Sequence, residues 1–183
     1  RHGTEVVING GAITAANTEE GTAIYHPQDG LLTVNGGTVS APTGIEMRSG
    51  TLTVNAGAIK STVSTFDEKG NGSGTTMTGV AVAVSQHVTD KDLKVVINGG
   101  TLTGPYALYE KDLQNETGTK ALEIKDGIFE GQVYSKNCTA FIKGGTFSDV
   151  SALESKERAL IYLTDDAKLS FVLGKDCTVS PFI

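Results

Sequence analysis

Leu32-Thr33-Val34-Asn35-Gly36-Gly37-Thr38-Val39 decides how this chain is read, because near-copies of it return along most of the 183 residues. The copies are Val6-Val7-Ile8-Asn9-Gly10-Gly11-Ala12-Ile13, Leu52-Thr53-Val54-Asn55-Ala56-Gly57-Ala58-Ile59 and Val95-Val96-Ile97-Asn98-Gly99-Gly100-Thr101-Leu102. Two looser ones follow, Leu122-Glu123-Ile124-Lys125-Asp126-Gly127-Ile128-Phe129 and Ala140-Phe141-Ile142-Lys143-Gly144-Gly145-Thr146-Phe147, and a degenerate last copy is expected within residues 169–179. Measured at Gly11, Gly37, Gly57, Gly100, Gly127 and Gly145, the intervals are 26, 20, 43, 27 and 18 residues. The long interval contains an insertion, residues 61–77, whose Lys69-Gly70-Asn71-Gly72-Ser73-Gly74 centre is turn-forming and flexible, so a protruding loop is expected there.

A second strand recurs between the copies: Thr22-Ala23-Ile24-Tyr25, Thr43-Gly44-Ile45-Glu46-Met47, Thr78-Gly79-Val80-Ala81-Val82, Tyr106-Ala107-Leu108-Tyr109, Gln132-Val133-Tyr134 and Leu160-Ile161-Tyr162. Period-two alternation orients the strands, so Val6/Ile8, Leu32/Val34, Leu52/Val54, Val95/Ile97 and Leu122/Ile124 form one inner column. Ile13, Val39, Ile59, Leu102, Phe129 and Phe147 form the next. Short strands separated by single-turn corners bury such columns by winding round one axis. The expected fold is therefore an all-β parallel β-helix of about seven coils, stacked at the strand spacing of about 4.8 Å. Asn-Gly-Gly suits a corner because glycine adopts the left-handed backbone the bend demands. Asn9, Asn35 and Asn55 are then expected to form a hydrogen-bonded ladder that stops where Lys125 and Lys143 replace asparagine. One short helix is expected over 150–158, capped by Ser148-Asp149.

Composition agrees with an all-β reading. A hydrophobic fraction of 38% is low for a globular core, and 23 glycines suit short strands joined by tight turns. Repeats run almost end to end, so residues 1–183 read as a single domain or a segment of a longer solenoid, with further domains of the same parent chain expected beyond the uncapped ends. A net charge of -6 with scattered Lys and Arg argues against nucleic acid as a partner. No apolar run reaches the length of a membrane span. Cys138 and Cys177 match no metal or scaffold spacing; Cys138 is placed at a strand start, Cys177 in a turn region, and both are expected unpaired.

Ile8-Asn9-Gly10-Gly11, Ile97-Asn98-Gly99-Gly100-Thr101-Leu102 and Ile142-Lys143-Gly144-Gly145-Thr146-Phe147-Ser148-Asp149-Val150-Ser151 carry a family resemblance. The chain resembles the right-handed parallel β-helix proteins of the pectate-lyase-like superfamily, and more closely the INGG-repeat surface proteins of gut-type bacteria. That resemblance implies secretion and display at the bacterial cell surface within a modular chain. It implies no activity, because function is grafted separately onto this fold.

Carbohydrate-active relatives of that fold use acidic clusters beside Arg, Lys or His. Asp165-Asp166 superficially matches the adjacent aspartates of the hydrolases, but no partner motif follows in later repeats, and it reads as a polar turn. Asp29, Asp90, Asp92, Glu110, Asp112 and Asp165 fall in turns after the second strand, yet Arg48, Lys91, Lys111 and Lys136 share those turns, so a solvated mixed-charge edge is expected rather than a metal site. His2, His26 and His87 lie apart, and no cofactor motif is present. What remains is an outward column, Tyr25, Glu46, Ala81, Tyr109, Tyr134 and Tyr162, with Val80 taken as the inward residue of its strand. Tyr109, Tyr134 and Tyr162 are expected to form an exposed stripe that stacks on sugar rings or docks a protein. The functional expectation is a non-catalytic surface module, adhesin or stalk, binding a glycan or a surface protein. The alternative is a polysaccharide lyase or glycoside hydrolase, or the non-catalytic part of one, which would gather acids and bases from three adjacent coils into one groove.

Overall fold

A computed structural model of the chain describes residues 3–15, 19–114, 116–153 and 167–169, the side chains of the last three excepted. The first repeat runs through β1 (Thr4–Ile8), β2 (Ala12–Thr14) and β3 (Thr22–His26), the second through β4 (Gly30–Val34), β5 (Thr38–Ala41) and β6 (Thr43–Met47). The third begins with β7 (Gly50–Val54) and β8 (Ala58–Ser61), is interrupted by β9 (Asp67–Glu68) and β10 (Met77–Thr78), and resumes at β11 (Val80–Val84). The rest comprises β12 (Leu93–Ile97), the long β13 (Thr101–Glu110), β14 (Lys120–Ile124), β15 (Ile128–Ser135), β16 (Gly145–Asp149) and β17 (Ala167–Leu169). The described residues are thus all-β. Val150–Leu153 form a turn rather than the first part of the expected helix, with the Leu153 N–H donating to the Val150 carbonyl at 3.1 Å. Both apolar side chains pack against the core, and residues 154–158 lie outside the described set.

Pairing follows the repeat. A five-stranded sheet in the order β1-β4-β7-β12-β14 is parallel throughout, and so is a ten-stranded sheet. In the larger sheet β2, β5 and β8 lead to the first half of β13, β3, β6 and β11 lead to its second half, and β15, β16 and β17 follow. Neither sheet closes on itself. The only antiparallel pair among the described strands is the small β9–β10 hairpin of the insertion.

Register places Val6, Leu32, Leu52, Val95 and Leu122 opposite one another, and Ile8, Val34, Val54, Ile97 and Ile124 likewise. The second inner column, Ile13 to Phe147, also aligns as expected, with Phe129 and Phe147 stacked at 4.8 Å. Burial of these columns supplies the core, at about 25 cal/mol for each Å² of apolar surface removed from water. Val6 is 43% exposed although it belongs to the inner column, because β1 is the outermost strand of its sheet.

The Asn35 Nδ2 donates to Asn9 Oδ1 at 2.9 Å, Asn55 to Asn35 at 2.8 Å and Asn98 to Asn55 at 2.8 Å, so the expected ladder forms and includes a fourth member. Behind it, Gly37 has φ of +84°, and a Cβ there would lie 2.6 Å from the Gly11 carbonyl oxygen. Gly11 has a similar φ of +85° but nothing within 4 Å. Gly11→Ala should therefore cost only the left-handed strain, about 1 kcal/mol, whereas Gly37→Ala adds a clash with backbone and should cost about 2 kcal/mol or more. Equal losses in thermal melts would show that neighbouring repeats do not press on that corner.

Candidate functional site

One face of the larger sheet carries the chemistry. Tyr25, Glu46, Ala83, Tyr109 and Tyr134 are successive register partners on it. Val82, not Val80, pairs with Ile45 and Leu108, so Ala83 takes the outward place expected of Ala81. Two similar Val-Ala steps in Val80-Ala81-Val82-Ala83 made the alignment ambiguous in sequence. Val80 packs with Met77, Ala83 and Tyr109 on the outer face, while Ala81 joins the core. Two residues further along each strand, Arg48, Ser85, Lys111 and Lys136 form a second row, each backbone N–H donating to the preceding repeat.

The insertion does not protrude. It folds back over this face because two buried charges hold it. Arg48 is 1% exposed, and its guanidinium donates to the carbonyls of Ser85 (2.6 Å), Gly74 (2.6 Å) and Asn71 (2.8 Å). Glu46 is fully buried and accepts from the Thr76 N–H at 2.8 Å and the Thr76 hydroxyl at 2.6 Å, with Arg48 Nη1 at 3.8 Å. Burial pushes the Glu46 carboxyl above the ordinary glutamate range, against the pull of Thr76, Arg48 and Thr22. Glycines and polar residues that read as a flexible tip thus supply the carbonyls a buried arginine requires. The Gly74 N–H completes the attachment by donating to the Tyr25 hydroxyl at 2.7 Å.

Further along the face the cover becomes aromatic. The Phe66 ring lies 4.6 Å from Tyr106 and 4.7 Å from Tyr109, and Tyr109 stacks on Tyr134 at 4.8 Å with an interplanar angle of 28°. The Tyr109 hydroxyl donates to Glu68 Oε2 at 2.7 Å, and the Lys111 ammonium donates to Glu68 Oε1. Burial opposes ionisation of Glu68, yet Lys111, the Tyr109 hydroxyl and the nearby Lys136 charge hold its carboxyl below the ordinary range. Burial and the adjoining Glu68 carboxylate raise the Tyr109 phenol well above its ordinary value.

The expected stripe is accordingly revised. Tyr109 and Tyr134 do stack at the strand spacing, but Tyr109 is only 6% exposed, because Phe66 and Glu68 cover it. Tyr134 and Tyr106 are half-buried, and Tyr162 lies outside the described residues. Phe66, Glu68, Tyr106, Lys111 and Lys136 were not singled out in sequence as parts of this face. Two signals point to them: Phe66 is the one aromatic residue in the insertion, and the spacing Tyr-x-Lys occurs at both Tyr109/Lys111 and Tyr134/Lys136.

Elsewhere the candidates have local roles. Glu110 is fully buried and accepts from the Ser135 hydroxyl and from the Asn137 N–H and side-chain amide. Asp112 pairs with Lys120, while Asp90 and Asp92 accept from the Thr117 and Thr119 N–H groups. No three His, Cys, Asp or Glu side chains among the described residues are grouped to hold a metal. His26 contacts the Ser49 carbonyl and His87 the Thr89 hydroxyl, whereas His2, Asp165, Asp166 and Cys177 are outside the described set. Cys138 is a free, buried thiol in the turn after β15 rather than at a strand start, pushed up to about 11 by burial and the Glu110 charge. An open groove of about 500 Å³ beside the five-stranded sheet is lined by Asp29, Leu31, Thr51, Asp92 and Lys94, where Asp29 accepts from Ser49 and Asp92 from Thr119. Comparison with protein-family models, with curated proteins and with solved structures finds no match for this chain.

Proposed function

We propose that this chain is a right-handed parallel β-helix serving as a non-catalytic module of a bacterial cell surface, an adhesin or stalk segment that binds a glycan or a protein. The winding rests on the register, in which each strand pairs with its counterpart one repeat on, and the hand on the strong bias of parallel crossover connections. The binding role rests on one observation: among the described residues the aromatic cluster ends in half-buried Tyr134, stacked on a ring that the protein's own insertion has already covered. Tyrosine offers a broad amphipathic contact with few rotors to freeze.

The test is titration of hits from a glycan array and a panel of surface proteins against wild type and Tyr134→Ala. Tyr134→Ala should melt within about 1 kcal/mol of wild type and bind its ligand at least about fivefold more weakly. Tyr109→Ala should instead cost about 3 kcal/mol of stability, because its ring is enclosed by Phe66, Tyr106 and Tyr134. Every hit retaining full affinity for Tyr134→Ala would remove this face as the site.

A further inference from the structure

Tyr109 and Lys111 together grip a carboxylate, the Glu68 side chain, through the phenol hydroxyl and the ammonium. One strand along, Tyr134 pairs with Tyr109 in register, and the Lys136 N–H donates to the Glu110 carbonyl, so Lys136 occupies the place of Lys111. The second pair reproduces the first, yet among the described residues neither the Tyr134 hydroxyl nor the Lys136 ammonium has a hydrogen-bond partner. Lys136 is exposed, and its charge is felt at Glu68, which Lys111 and Tyr109 already hold. We infer that Tyr134 and Lys136 are an open second copy of the Tyr109/Lys111 carboxylate clamp, and that their ligand is an extended acidic peptide bearing a glutamate two residues after an aromatic. This deepens the binding face proposed above and rests on it.

A peptide is favoured over an acidic sugar because the occupant of the closed clamp is itself a peptide of that form. In Phe66-Asp67-Glu68 the aromatic ring packs on Tyr106 and Tyr109, Asp67 is exposed, and Glu68 enters the clamp. The insertion lays β10 over β6 and β11, where the Thr43 hydroxyl donates to the Met77 carbonyl and Met77 clusters with Val80 and Ala83, and β9 over β13. The next position in that order lies over β15, where an added strand would present its glutamate to Tyr134 and Lys136. Strand addition at an open edge supplies main-chain affinity, and the clamp supplies the choice of side chain. The unmatched ammonium supplies charge complementarity.

The experiment is amide shift perturbation in the full chain on titration with a synthetic peptide copying residues 63–70, with its Glu68→Gln form, and with oligogalacturonate as a sugar source of carboxylate. The copied peptide should move amides of residues 132–137, the Glu68→Gln form should bind at least fivefold more weakly, and Tyr134→Phe or Lys136→Met should each lose the same factor without a change in melting. Equal affinity for the two peptides, no perturbation at all, or perturbation centred on 109–111 would overturn the inference. Tighter binding of oligogalacturonate at the same amides would overturn the commitment to a peptide. If Tyr134→Ala abolishes binding while Tyr134→Phe and Lys136→Met bind like wild type, the face stands and the clamp falls. If Tyr134→Ala binds every probe as wild type does, both fall.

Discussion

Val34→Asp is expected to cost about 4 kcal/mol or more, enough to unfold most of the population of a marginally stable domain. Val34 is 1% exposed and lies between Ile8 and Val54 in the inner column. None of these three aliphatic side chains can pair with a carboxylate, so the substitution buries a charge or forces its protonation. Its neighbour Thr33 sits half-buried on the opposite side of the same strand, between Val7 and Thr53. Thr33→Asp should cost less than about 1 kcal/mol, mostly through lower strand propensity. Chemical denaturation of the two variants reads the difference directly, and similar midpoints would contradict the assignment of inner and outer sides.

Arg48→Met should be the next most damaging change, costing about 3–5 kcal/mol at neutral pH, because it leaves Glu46 buried without its counter-charge. The carbonyls of Asn71, Gly74 and Ser85 would also lose their donor. The pH dependence follows from the raised Glu46 carboxyl. A carboxyl raised on folding stabilises the folded state below its unfolded pKa, and that contribution is lost as pH rises through the folded value. Removing Arg48 deletes one influence that holds Glu46 down, so the deficit relative to wild type should be larger near pH 7 than near pH 5. The double variant Glu46→Gln/Arg48→Met should recover part of the loss, since no ion is then left unpaired. A single variant losing under about 1 kcal/mol, or a deficit that grows on acidification, would contradict the role assigned to this pair. Proteolysis within residues 71–76 should accelerate in Arg48→Met, as the segment loses its anchor.

The same pair shows why the site was only half legible. Tyr109 and Tyr134 could be placed side by side from the repeat alone, since matching positions in successive repeats lie one strand spacing apart. Whether either ring meets solvent depended on residues 61–77, whose composition resembles a free linker. Nothing in a one-dimensional pattern said that Glu46 and Arg48, from β6 and the turn after it, would capture that segment. Glu46 and Arg48 read as ordinary outward charges until the carbonyls opposite them were located. The uncertain alignment at Val80-Ala81-Val82-Ala83 had a related cause: every residue there is buried, because the insertion covers the outer face, so alternation is lost.

By itself, the sequence determined the all-β class, the two inner aliphatic and aromatic columns, the glycine corners and the asparagine ladder. Each follows from local periodicity or from a backbone conformation that one residue type tolerates best, and the repeat multiplies that signal across the chain. Only the tertiary structure decided that the insertion is a cover, that Glu46 and Arg48 are buried, that Tyr109 is enclosed, and that Tyr134 and Lys136 repeat the placement of Tyr109 and Lys111 with no side-chain hydrogen-bond partner among the described residues. These outcomes depend on contacts between a non-repeating segment and residues up to 53 positions away, as between Thr75 and Thr22. Such contacts are selected by desolvation and hydrogen-bond satisfaction in three dimensions, for which a linear period carries no term.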